Sequence, residues 1–339
     1  MFVGHEFLAF ALVAGLASLA GRDRQTTLWL GAVAAAAAVL PDLDLLVGVF
    51  SYVRQLGGEA VLSVNGFWGV SNVVHRRVTH PLPVVGPAAV GVAAAGTAWQ
   101  AWTGATAGGD GAGDSGGDAD GNRRRAALAA TVTALAVLPA FLVGDGVGGA
   151  RGVFVAGVFT VGVACVGVAA AVWTDLSARD RLAAAAGSLL LHPWGDVLMS
   201  APPPLLAPTD RRLLGERLVF AGDPTLNLLA ITFVELATVW IGTVVYTRVA
   251  GQSLRRAVAP RATVGVGYVV AVILLPRPTM ADAHWLGFSI APLALVGVPS
   301  LRASEAAPSD RRLRALVTGL VTITLAAVAY LVGYLLVGG

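Results

Sequence analysis

The chain has no lysine, one cysteine and few charges of either sign. Charged residues make up 13% of its 339 positions, against about 25% in an ordinary soluble domain. That scarcity excludes a water-exposed surface over most of the sequence. The lone Cys165 excludes an intrachain disulfide and a cysteine-rich zinc site. All 23 basic residues are arginines scattered among short segments, so no basic face for nucleic acid is formed. Missing as well are a Gly-rich phosphate loop, a Gly-x-Ser-x-Gly elbow and an internal repeat. What fills the chain is apolar: 56% of residues are hydrophobic, with a mean hydropathy of +0.75. A water-soluble core cannot absorb that much, so lipid is the expected solvent.

A helix that crosses the hydrocarbon needs ~20 mostly apolar residues. Ten stretches qualify: roughly 2–20, 28–50, 82–102, 126–144, 152–173, 182–201, 226–246, 262–276, 284–300 and 315–337. The expected fold is therefore all-α, a polytopic transmembrane bundle of about ten spans (eight to ten). The sequence HPWGD interrupts 182–201, and the pair 262–276 and 284–300 is short. Arg22 and Arg24 follow the first run instead of preceding it, the reverse of a signal peptide, so that run reads as a retained span. Residues 1–200 form the expected polar-bearing domain, and 201–339 add further transmembrane helices. Within the first, 103–125 is rich in Gly and Asp and is expected to be a disordered cytoplasmic loop. The run APPPLLAP, from 201, prevents regular helix. With the N-terminus outside, fifteen of the 23 arginines, Arg22 and Arg181 among them, fall in inside loops. This is the pattern of a multi-pass protein of the cell membrane.

Ionisable groups inside spans are costly and so mark candidate sites. They are His5 and Glu6; Asp42 and Asp44 in VLPDLDLL; His75 and His80 in HRRVTH; His192 and Asp196 in HPWGD; and, later, Glu235 and His284. Under the orientation above, the first four groups lie toward one leaflet, near the extracytoplasmic face. Each has a bland reading. Pro41 and the following aspartates read also as a helix break with caps, HRRVTH as a basic patch against lipid phosphates, and His5 as an interfacial ring. Asp42 and Asp44 meet one centre only if the helix breaks at Pro41. His75 and His80 stand about 140° apart on an unbroken helix, but Pro81 biases His80 off it. Thr79 either supports the cluster or caps the next helix. One shared metal centre explains all four groups at once. Imidazole and carboxylate ligands suit a divalent metal, zinc foremost, with manganese or iron as alternatives.

The order of an early His, then PDLD, then HRRVTH, then a His-x-x-x-Asp resembles the YdjM-like membrane-bound metal-dependent hydrolases, also described as LexA-binding, inner-membrane-associated hydrolases. The resemblance covers roughly residues 1–200. It implies a membrane-embedded hydrolase that uses a divalent metal. The ligand order is also similar to that of the soluble zinc-dependent phospholipase C and nuclease group, which points to phosphoester cleavage. Pro193 and Gly195 inside the last motif, and the long interval before it, depart from that pattern.

The expected metal ligands are His5, Asp42, Asp44, His75, His80, His192 and Asp196, a set that fits one or two ions, two being bridged by a carboxylate. Arg76 or Arg77 would offset charge on a phosphoryl oxygen, and Asp44 or Glu6 would take a proton from water. The expected partners are the lipid bilayer and a lipid or phosphoester substrate, with no nucleic acid; no protein partner is legible. The competing readings are a transporter or ion-permeation protein using the same residues, with Glu235 its mid-membrane acid, and a scaffold that keeps the metal for structure.

Overall fold

The computed structural model describes residues 3–56, 62–71, 75–107, 116–198, 202–209, 211–281, 283–302 and 307–337. These are 81% helical with no strand, as an apolar chain requires when its backbone polar groups have no water to bond. The chain divides into two compact units, Met1–Arg217 and Leu218–Gly339, so the first extends beyond the expected boundary at 200.

The first unit contains α1 (Gly4–Leu19), α2 (Arg24–Ala38), α3 (Asp44–Gln55), α4 (Val64–Ser71), α5 (Leu82–Ala107), α6 (Gly116–Trp173), α7 (Ala178–Leu189) and α8 (His192–Gly195). A 3-10 turn over Pro41–Leu43 separates α2 from α3, because Pro41 cannot donate to the helix ladder. The α6 helix is two helices joined by a turn at Gly149, whose φ is 52°, a conformation glycine adopts freely. The halves close tightly at that turn: a Cβ at Gly144 would lie 2.6 Å from the Gly152 carbonyl oxygen. Small residues let backbones approach elsewhere too. A Cβ on Gly167 of α6 would meet the Val92 carbonyl oxygen of α5 at 2.3 Å.

One end of this unit is tied by polar contacts. The Asp23 carboxylate caps α2 by accepting from the Thr26 N–H at 3.0 Å. Ser177 and Asp180 form a reciprocal capping box on α7, and Arg22 reaches Asp180 at 3.0 Å. Arg181, expected in an exposed loop, is instead buried. The capping box sets α7 against α5, so the Arg181 guanidinium donates to the Leu176 carbonyl, Thr97 and Gln100.

The second unit contains α9 (Pro224–Val249), α10 (Ala271–Leu274), α11 (Ala283–Ile290) and α12 (Pro308–Val337). Long 3-10 runs precede α10, over Pro260–Val270, and follow α11, over Ala291–Arg302. At about 2.0 Å of rise per residue, they stretch the two short apolar segments farther than α-helix would. Gly265 permits the close approach of the first run to α12, where a Cβ would lie 2.2 Å from the Thr322 carbonyl oxygen.

Among the described residues, six helical segments are long and apolar enough to cross a membrane: Arg24–Gln55, Leu82–Gly104, Ala119–Trp173, Pro224–Val249, Ala283–Arg302 and Pro308–Val337. Gly4–Leu19 and Pro260–Leu274 are apolar but shorter. This count does not confirm the expected ten. Ala119–Trp173 counts once, yet the turn at Gly149 divides it into two helices that correspond to the expected stretches 126–144 and 152–173. The stretch 182–201 is not one helix, since α7 stops at Leu189 and Pro193 opens the four-residue α8. The expected loop 103–125 is also shorter: 103–107 complete α5 and 116–125 begin α6. The Arg124–Asp120 pair, 3.2 Å apart one turn from each other, supports the latter. Residues 108–115 lie outside the described ones.

The α5–α6 approach allows a direct test. Gly167→Ala forces a methyl into the Val92 carbonyl and should lower stability by about 1–3 kcal/mol, read as thermal unfolding in detergent. An unchanged midpoint would show that the two helices are not this close.

Candidate metal centre

Four separate segments deliver side chains to one cluster in the first unit. The start of α1 supplies His5. The Pro41 break supplies Asp42 and Asp44. The loop before α5 supplies His75, Arg76, Thr79 and His80, and α8 with the turn after it supplies His192 and Asp196. The Pro-rich segment packs onto the same region: the Leu205 carbonyl accepts from the Leu82 N–H at 2.8 Å, giving α5 one of the caps its first turn lacks.

The HRRVTH loop turns sharply at Arg76, whose φ is 65°. A non-glycine residue there costs about 1–2 kcal/mol. The turn directs the Arg76 N–H to the Asp44 Oδ2 at 2.8 Å and the guanidinium Nε to the Asp196 Oδ2 at 3.0 Å. It also folds His75 and His80 back toward each other, with ring centroids 5.8 Å apart.

Asp44 is 1% exposed and accepts on both oxygens. His75 Nδ1 lies 2.8 Å from its Oδ1, and the Thr79 hydroxyl donates to its Oδ2 at 3.1 Å. The Thr79 oxygen is also 3.0 Å from His80 Nδ1. On its other side, His80 Nε2 lies 2.9 Å from Asp196 Oδ2, 3.2 Å from His192 Nε2 and 3.7 Å from Asp42 Oδ1. His192 Nε2 is likewise 3.7 Å from Asp42 Oδ1.

Ligand-type atoms of Asp42, His80, His192 and Asp196 thus lie within 4.8 Å of one another, and so do those of Asp42, Asp44 and His75. Asp42 is common to both groups. The donor set fits a divalent cation. Two carboxylates and two imidazole nitrogens, all acceptors when the imidazoles are neutral, crowd a region where His80, His192 and Asp196 are at most 1% exposed. Burial lowers the pKa of His80 below its ordinary value against the pull of Asp196, which favours the neutral ring that binds metal. His192 Nδ1 is buried with no hydrogen-bond partner. Asp42 and Arg76, with side chains 19% and 16% exposed, are the points at which the cluster meets its surroundings.

The structure gathers the expected polar residues unevenly. Asp42, Asp44, His75, His80, His192 and Asp196 meet in the two groups. His5 stands at their side: it stacks on His192, ring centroids 3.9 Å apart, and its Nε2 is 3.4 Å from Asp196 Oδ1. Arg76 faces the cluster, whereas Arg77 is exposed. Glu235 lies in α9 and His284 beside Trp285, both in the second unit. Sequence reasoning missed Trp68 of α4, whose ring lies 5.9 Å from that of His75. It also missed the left-handed turn at Arg76. Neither carries a local sequence signal, since nothing in α4 or in the Arg-Arg pair marks its distant partner.

Apolar helices around an enclosed His/Asp cluster define an integral membrane protein with a candidate metal centre. The sequence profile of the family described as YdjM inner membrane protein matches residues 1–279. The chain belongs to that family, and the match runs beyond the roughly 200 residues that carry the motifs. No curated protein and no solved structure matches the chain.

Removing the Asp44 carboxylate strands three donors in a dry interior, at about 1–3 kcal/mol each. Asp44→Ala should therefore destabilise the protein by about 3 kcal/mol or more, while Arg77→Ala stays within about 0.5 kcal/mol of wild type. Equal melting temperatures for the two variants would contradict the network described.

Proposed function

We propose that the protein is a membrane-embedded, metal-dependent hydrolase that cleaves a phosphoester of a lipid or lipid-linked substrate. The observation that carries this reading is the convergence of Asp42, His80, His192 and Asp196, four ligand-type groups within 4.8 Å. Zinc suits that mixture of imidazole and carboxylate best, with manganese and iron next. Because Asp42 also belongs to the group with Asp44 and His75, two ions bridged by its carboxylate fit the donors. A divalent ion there would supply hydroxide near neutral pH by lowering the pKa of water.

The chain's own residues would do the rest. Arg76 reaches the cluster from its partly exposed rim, where a planar guanidinium meets phosphate oxygens in pairs and offsets their growing charge. Arg77, exposed beside it, is placed to attract an anionic headgroup. His5, stacked on His192, holds that ring in place. Apolar helices around the cluster favour a substrate already in the bilayer over a soluble one. The proposal keeps the expected extracytoplasmic position for the site, which the labelling experiment below decides.

Two experiments test this. Purified wild type should contain one to two equivalents of divalent metal, and the Asp42→Ala, His80→Ala double variant close to none. Metal retained at full stoichiometry in the double variant would remove the basis of the proposal. Wild type, and not the variant, should release phosphate or a phosphorylated headgroup from lipid phosphoesters, with chelators abolishing the activity. For topology, Arg77→Cys in a Cys165→Ala background should react with a membrane-impermeant maleimide added to intact cells. Labelling only after the membrane is opened would place the site on the cytoplasmic side.

A further inference from the structure

The arginines of the second unit are scattered in sequence but gathered in space. The Gln252 amide, just past α9, donates to Asp310 Oδ1 in the first turn of α12 at 3.3 Å. A 3-10 turn over Arg255–Ala257 packs Ala257 on Leu313 and Val317 of α12. The 3-10 run over Ala291–Arg302 lies antiparallel to α12: a Cβ on Gly297 would meet the Ala315 carbonyl, and one on Gly319 the Ala294 carbonyl. Its end at Arg302 therefore approaches the start of α12. These contacts bring Arg248, Arg255, Arg256, Arg302, Arg312 and Arg314, all exposed, to one end of the unit, where half-buried Arg311 adds a seventh charge. Among the described residues, Asp310 is the one carboxylate at that end, and Gln252 already engages it. Asp223 and Glu235 lie at the start and in the middle of α9, away from Arg248 in its last turn. None of the seven guanidinium groups pairs with a carboxylate among the described residues. Arg261 is not part of this set, because it donates to the Val296 and Gly297 carbonyls and to Ser300.

Three of the elements continue this charge into exposed apolar surface. Exposed Leu295, Val298 and Leu301 share one face of their 3-10 run, whose period is three, and lead up to Arg302. Exposed Leu316 stands one turn from Arg312 on α12, and exposed Ile241 two turns from Arg248 on α9. Cations that give way to apolar side chains match a phospholipid, whose phosphate is followed by acyl chains. A soluble acidic partner would answer the charge and leave the apolar faces unused.

We propose that this end of the second unit is a binding site for an anionic phospholipid, with its phosphate among the arginines and its chains along the apolar faces. The headgroup must carry net negative charge, because a zwitterionic one would set its own cation against seven others. Arginine's planar fork pairs with phosphate oxygens, and a basic cluster next to a membrane span attracts anionic lipid. The site uses no residue of the first unit, and it stands whether or not the His/Asp cluster is a hydrolase.

The test is native mass spectrometry of the full-length protein released from detergent micelles. Phosphatidylglycerol or phosphatidylcholine with the same acyl chains is added to it. Wild type should retain phosphatidylglycerol about tenfold better than phosphatidylcholine. The triple variant Arg255→Gln, Arg312→Gln, Arg314→Gln changes exposed side chains only and should lose most of that preference. The matching triple Lys variant should keep more of it than the Gln variant, since charge is retained. Equal retention of the two lipids by wild type overturns the inference, and that comparison requires no variant to fold. So does phosphatidylglycerol retention unchanged in the Gln variant, which would locate the lipid elsewhere, the His/Asp cluster included. Polyglutamate bound more tightly than phosphatidylglycerol would make a soluble acidic partner the occupant and overturn the lipid assignment.

Discussion

A carboxylate buried in an apolar bundle is the constraint on which the site depends. Asp44 sits where water does not reach, and an unpaired charge there would cost several kcal/mol. The chain meets that cost with donors from a single loop: a ring nitrogen, a backbone N–H and a hydroxyl, all within 3.1 Å. The strained backbone at Arg76 is part of the same arrangement, since the turn brings its N–H to Asp44 and its guanidinium to Asp196. Such strain persists only where surrounding contacts over-determine the conformation.

The helices act as the frame for this polar knot. Small residues let α5 and α6 lie almost backbone to backbone, which holds the start of α5, and with it the HRRVTH loop, in a fixed position. The Asp23 cap, the Ser177–Asp180 capping box and the Arg22–Asp180 pair secure the segments that lead into α2 and α7. Buried Arg181 binds α5 to α7 through three neutral acceptors. Rigid elements of this kind suit a metal site, whose donors must keep their geometry.

Much of the site was legible in the chain because ionisable residues are so costly in lipid that few are retained without a task. Asp42, Asp44, His75, His80, His192 and Asp196 stood out against an Ala, Val and Leu background, and Pro41 announced the break that lets two aspartates two positions apart face one centre. The span count was less legible. Hydropathy sees apolar length, but the stop after Leu189 and the long 3-10 runs of the second unit depend on packing. Arg181 misled for the same reason: its charge suggested solvent, whereas three acceptors from its neighbours meet it in the interior.

Composition alone determined that the chain lives in lipid as helices, because an apolar backbone without water must satisfy its own hydrogen bonds. The residue types and order of the four motifs likewise determined which side chains were candidates for chemistry. Only the tertiary structure decided what each one touches. That Asp44 accepts from His75 and Thr79, that His5 stands beside the cluster, and that Arg76 faces inward while Arg77 faces out all follow from contacts between segments up to 191 positions apart. Local sequence carries no record of such partners, since hydrogen bonds of this kind are set by where the packed helices bring the backbone.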